Sequence, residues 1–235
     1  MKKFLALSIL FFVVFGHAQE KSIEIDYTVE YLIPKRLSSA VDTVKVGFDK
    51  DGKYLWTDSD FLAKDLARSV FEGNDTLLEN AELNIVLDTE NLTMMLFFNS
   101  GKNEMYMNVE ISNFFPVQPL GEESKEFELI AEPTGETKTI LNKAIEVYEV
   151  FPSNDPNDSV NFGFDNTIEV NNAKLFERFF SLIFAAEDKL KLKSIDFPNG
   201  LILSISDDGE TILEANSIDT KTKTISLIHS FKITE

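Results

Sequence analysis

From Ser22 to Ile33 the chain alternates strictly, with Ile23, Ile25, Tyr27, Val29, Tyr31 and Ile33 on one side and Glu24, Asp26, Thr28 and Glu30 on the other. A period of two predicts a long half-buried strand, and Pro34 ends it. VDTVKVGFD and KYLWTD flank Lys50-Asp51-Gly52, a turn signal between apolar runs, so this region predicts a hairpin. AELNIVLD, LTMMLFFN and EMYMNVEIS continue the theme as a meander, separated by short polar turns. After the Pro- and Gly-containing loop at about 112–125, the segments KEFELIAE, ETKTILN, KAIEVYEVF and VNFGFD predict further strands. GLILSIS, the turn Asp207-Asp208-Gly209-Glu210, TILEANSID and TISLIHSFKI predict the last ones.

Two segments break the alternation. SDFLAKDLARSVFEG, with Ser59 as N-cap and Phe61, Leu62, Leu66 and Val70 at helical spacing, predicts a short amphipathic helix ending at Gly73. The second, at about 172–188, is unusual. Asn171 or Asn172 supplies its cap, and Leu175, Phe176, Phe179, Phe180, Leu182, Ile183 and Phe184 cover roughly 200° of its circumference, about twice the width of an ordinary apolar stripe. Only Lys174, Glu177, Arg178 and Ser181 form a polar stripe, expected to face water. About ten strands against two helices predicts an α+β, mainly β domain built on an antiparallel sheet.

The first residues change the picture of where this domain works. MKK is a basic start, FLALSILFFVVF an apolar run of secretory length, and Gly16-His17-Ala18 carries the small residues of a cleavage site. Residues 1–18 therefore read as a secretory signal peptide and 19–235 as a single domain, periplasmic or secreted. The chain has no cysteine, which excludes disulfides, thiol nucleophiles, thiolate metal sites and a lipidated anchor, so the mature form is expected to be free of the membrane. Its formal charge of −18 disfavours nucleic acid and anionic lipid surfaces as partners.

ETKTILNKAIEVYEV, then the wide helix, then DFPNGLILSI, a turn, TILEANSID and a final strand resemble the C-terminal half of secreted GLPGLI-type families and related families of unknown function. Those in turn look like the LolA/LolB-like superfamily of periplasmic lipoprotein carriers. The matching order covers about residues 125–233, with a weaker fit over 23–111. The resemblance implies a strongly curved, incomplete antiparallel barrel embracing its helices on the concave side. The chain departs from the GLPGLI pattern after TKTIL, where Asn142-Lys143-Ala144 stands in place of the usual glycine and cysteine, and the motif survives as Phe197-Pro198-Asn199-Gly200-Leu201-Ile202.

Candidate chemistry narrows accordingly. With His17 removed, His229 is the one remaining imidazole; there is no serine-hydrolase elbow, no dinucleotide fingerprint and no phosphate loop. No metal or cofactor is expected. Asp49-Lys50-Asp51-Gly52 departs from a calcium loop at its first and last ligand positions and reads as a hairpin turn. The wide helix is explained by burial in the trough of a curved sheet, or more sharply by lining a cavity for an acyl chain. In that cavity Phe176, Phe179, Phe180 and Phe184 are the candidate contributions of the helix. Met94, Met105 and Met107 would supply a pliable wall, and Phe114 and Phe115 a staple or a mouth. The leading expectation is a non-catalytic binding protein for a lipid or other hydrophobic molecule. An envelope protein-interaction module with a self-filled core is the alternative, and a carboxylate-based hydrolase a distant third.

Overall fold

In the computed structural model, residues 21–35, 40–59, 64, 82–100, 103–111, 125–187 and 190–227 are described. Alternation becomes strand almost throughout. The first half forms β1 (Lys21–Ile25), β2 (Tyr27–Pro34), β3 (Val41–Phe48), β4 (Tyr54–Thr57), β5 (Glu82–Asp88), β6 (Thr93–Ser100) and β7 (Asn103–Glu110). The second forms β8 (Glu126–Ile140), β9 (Lys143–Pro152), β10 (Val160–Asp165), helix α1 (Asn172–Glu187), β11 (Lys191–Asp196), β12 (Leu201–Asp207), β13 (Glu210–Asp219) and β14 (Lys223–Leu227). The helix expected over 59–73 and the loop at 112–125 fall almost entirely outside the described residues.

Twelve strands make one large curved sheet in the order β11-β8-β9-β10-β12-β13-β2-β3-β4-β5-β6-β7, which does not close into a barrel. Its centre joins the two halves of the chain, because β2 pairs with β13 on one side and β3 on the other. The remaining pair, β1 with β14, forms a separate two-stranded ribbon. Tight turns follow the expected chemistry at Asp208 and Gly209, both at positive φ (48° and 81°).

Three expectations need correction. The strand expected to run unbroken from Ser22 to Ile33 is interrupted at Asp26, whose N–H donates to the Phe48 carbonyl and whose carboxylate accepts from the Lys50 N–H. Ile23 and Ile25 therefore belong to the ribbon, while Val29 and Tyr31 belong to the sheet. The sheet is not wholly antiparallel: β11, which the alternation did not predict, pairs parallel with β8 at one edge. A register shift between Leu192 and Ser194 breaks its period of two and hides it from pattern reading. KEFELIAE and ETKTILN, expected as two strands, are one strand, β8, with a bulge between Pro133 and Thr137 where Gly135 takes a φ of 79°.

Because side chains alternate across a strand, the sheet buries two different sets of residues. On the side that carries α1, Val29, Tyr31, Phe48, Leu201 and Leu203 pack around Leu175. Leu83, Ile85, Met94, Leu96 and Phe98 form a second patch, which Leu182 of the helix touches. On the outer side Trp56, Val86 and Met95 are covered by Ile23 and Ile25 of the ribbon. Gly47 permits this close layering, since a Cβ there would stand 2.5 Å from Ile25 Cγ2 and 3.2 Å from Trp56 Cε3.

Candidate functional site

Helix α1 starts from a firmly held N-terminus. Asn171 is the cap, its side-chain oxygen accepting from the Lys174 N–H at 3.0 Å. Asn172 is fully buried and donates from Nδ2 to the carbonyls of Pro198 (2.8 Å) and Gly200 (2.7 Å). The Phe197–Ile202 segment is thus the element that clamps the helix start. A Cβ at Gly200 would crowd the neighbouring backbone, 3.3 Å from Asn166 Cα and from the Asp165 carbonyl oxygen. Gly52, at φ 71°, brings the β3–β4 turn so near that a Cβ would lie 2.3 Å from the Asn171 carbonyl oxygen.

The same turn is the one in which a calcium loop was weighed. Asp49 Oδ1 accepts from the Asp51 N–H and Oδ2 from the Lys53 N–H, which spends the carboxylate on its own backbone as in an Asx turn. No group of three or more His, Asp or Glu side chains suited to a metal ion occurs among the described residues.

The polar stripe of α1 does more than face water. Lys174 pairs with Glu90 at 2.8 Å, Lys53 reaches the same carboxylate at 3.0 Å, and Arg178 donates to the Glu90 backbone carbonyl. The hydrogen bonds from Lys174 and then Lys53 hold the Glu90 carboxyl down at about 2. Lys174, Glu177 and Arg178 are exposed, as expected of the polar stripe, and Lys174 and Arg178 in addition fasten the helix to the β5–β6 turn. That contact is between residues far apart in sequence, so no local pattern announced it.

Along the apolar arc, burial is uneven. Leu175 is fully buried, whereas Phe176, Phe179, Phe180, Leu182, Ile183 and Phe184 are all only half-buried. The rings form a continuous series: Phe176 stacks on Phe180 (centroids 5.5 Å apart, planes at 20°), Phe180 meets Phe184 at 6.1 Å, and Phe184 meets Phe127 edge-on at 4.8 Å. Phe179 joins through Phe180 at 6.1 Å. Such offset and edge geometries add about 0.5–1.5 kcal/mol per pair beyond area burial. Beneath them lie Phe127, Leu129, Val150, Leu192, Ile195 and Phe197.

The sequence-derived cavity residues are thus brought together in part. The four phenylalanines share one aromatic surface. Met94 and Met107 lie in the neighbouring apolar patch, which the helix reaches through Leu182 and not through a phenylalanine. Met105 pairs in register with Phe98. Phe114, Phe115 and His229 lie outside the described residues. The ring partners Phe127 and Phe197 were not singled out beforehand. Phe127 alternates visibly with Leu129, but alternation does not say which helix a strand face meets.

Asp165, which ends β10 ahead of the helix, is a buried carboxylate. Burial alone would raise its pKa, but Lys143 at 2.7 Å and the hydroxyl and N–H of Thr167 outweigh that and hold it below the usual value. It is a turn-forming group satisfied by its neighbours. No described helix is long and apolar enough to cross a membrane. No protein-family model matches the chain, and no curated protein matches it in sequence.

Proposed function

We propose that this protein is an exported, non-catalytic binding protein that holds a lipid, an acyl group or a comparable hydrophobic molecule against the aromatic face of α1, on the concave side of a LolA-like sheet. The observation that carries this reading is the half-burial of six large apolar side chains on one helix, Phe176, Phe179, Phe180, Leu182, Ile183 and Phe184. Full burial of such a side chain stabilises by about 1.5–3 kcal/mol, and a helix serving only as a plug would bury them as completely as Leu175. A ligand laid along the rings would remove the remaining surface from water. The secretory start of the chain supports delivery to the periplasm or beyond.

A second reading, an envelope interaction module whose core is filled by its own side chains, is favoured by the ring-to-ring contacts themselves, which already give each phenylalanine an apolar neighbour. Native mass spectrometry of the protein purified gently from an envelope fraction of its host separates the two. A stoichiometric adduct of lipid mass, lost in Phe180→Trp, is the expected result. A clean protein mass that does not shift after incubation with mixed lipids overturns the carrier reading.

A further inference from the structure

The outer face of the sheet carries a recess that the proposed function does not use. It is a cleft of about 870 Å³, floored by Trp56 and walled by β2, β3, β5 and the β13–β14 turn. Thr28 and Glu30 line it, whereas their neighbours Val29 and Tyr31 pack on the side of α1, so the cleft lies across the sheet from the helix. Lys223 spans the floor with its Nζ 3.2 Å from the Trp56 ring centroid.

The charges in this cleft are unusual for the molecule. Elsewhere Lys138, Lys143, Lys174, Lys191 and Lys193, among others, each pair with a carboxylate. Lys45, Lys221 and Lys223 all line the cleft and, among the described residues, make no ion pair; Lys50 and Lys125 share that condition, away from it. Four carboxylates, Glu30, Asp58, Glu82 and Asp219, line the same space and are likewise outside any ion pair. Asp58 accepts the Lys45 N–H and Asp219 the Lys221 N–H, so their backbones are fixed while the ammonium groups stay free. Exposed pairing would gain only about 0–1 kcal/mol, so holding these groups apart costs little and leaves both signs open to a ligand.

A ligand that fits must offer acceptors of full charge to three ammonium groups and hydroxyls to several carboxylates. An inorganic anion meets the first need and brings no array of hydroxyls for the carboxylates. A neutral polyol meets the second and leaves the lysines idle. Nucleic acid puts a charge on every phosphate but carries few hydroxyls for four carboxylates.

We propose that this cleft binds an acidic oligosaccharide, whose carboxylates or sulfates are taken by Lys45, Lys221 and Lys223 and whose hydroxyls are taken by Asp58, Asp219 and Asn84. The indole under Lys223 forms the apolar floor of the site. It holds the ammonium in place by cation–π attraction while partial burial weakens that group's hydration.

Trp56 is the one tryptophan of the chain and lines this cleft, so its emission responds to binding there. Titration of the purified protein with oligogalacturonate is expected to give a saturable change in that emission, matched by heat in calorimetry and weakened by added salt. Lys45→Gln and Lys221→Gln should each raise Kd about tenfold with unchanged circular dichroism. Absence of both signals with oligogalacturonate and with a sulfated oligosaccharide overturns the proposal. So does equal binding of a neutral cello-oligosaccharide, equal binding of polyglutamate, or undiminished affinity in both lysine variants. Lipid-free and lipid-loaded protein should bind alike, so this reading and the carrier reading fail separately.

Discussion

The two faces of one sheet are covered by different devices. On one side helix α1 is anchored hard at one end, through Leu175, Asn172 and the Glu90 ties, and then lies over the strands with its phenylalanines half in water. On the outer side a two-stranded ribbon presses Ile23 and Ile25 onto Trp56, Val86 and Met95, all of them buried, and next to this dry patch opens a cleft lined with charge. The difference teaches that neighbouring residues on a strand, Glu30 beside Tyr31, meet two unlike surroundings, a charged cleft and an apolar core. The period of two keeps them a strand's thickness apart.

The comparison can be broken most forcefully at the helix seat. Leu175→Ala is expected to cost about 2–5 kcal/mol in urea denaturation, because it empties a fully enclosed site, whereas Phe180→Ala on the half-buried stretch should cost less than half as much. Equal losses would mean that the aromatic stretch is as much core as Leu175 is, against a ligand face. Asn172→Ala removes the donor to two buried carbonyls and should cost about 1–3 kcal/mol. On the outer side Gly47→Ala drives a methyl group into Ile25 and should cost about 1–3 kcal/mol, with a red shift of Trp56 emission as the ribbon lifts. Unshifted emission would show that the ribbon tolerates the displacement.

The smallest effect concerns acid. Glu90 has its carboxyl lowered from 4.5 to about 2 in the folded protein, so the tie to Lys174 and Lys53 stabilises fully above 4.5 and is lost as pH falls through about 2. Far-UV circular dichroism between pH 5 and 2 should show the helix loosening in that window, and Glu90→Gln should remove the dependence. An identical acid profile in the variant would assign the loosening to other carboxylates.

Much of this was legible beforehand, for physical reasons that differ by element. The Asp207–Glu210 turn declared itself because Asp and Gly tolerate the left-handed φ values of 48° and 81° that a two-residue hairpin needs at 208 and 209. The width of the apolar arc on α1 announced a helix with apolar neighbours on several sides. The break at Asp26 was invisible, since alternation reads the same whether a strand continues or leaves the sheet. β11 was hidden by its bulge, and the Leu141-Asn142 turn, with φ of 52° and 62° on residues other than glycine, carries no usual hairpin signal. At the candidate site the four phenylalanines could be nominated from one helix. Their partners Phe127 and Phe197, and the link from Leu182 to Met94 and Met107, depend on tertiary packing that no window of residues contains.

The pairing of Lys21 with Leu227 has a kinetic meaning. It joins residues roughly two hundred positions apart, and β2 likewise waits for β13, so the centre of the sheet closes only after most of the chain is in place; contacts of such separation slow folding by orders of magnitude relative to local ones. Until then the meander from β2 to β7 carries an open edge at β2, a strand able to recruit foreign backbone. The arrangement that gives the finished protein its central seam makes its half-folded form the species most in need of a chaperone.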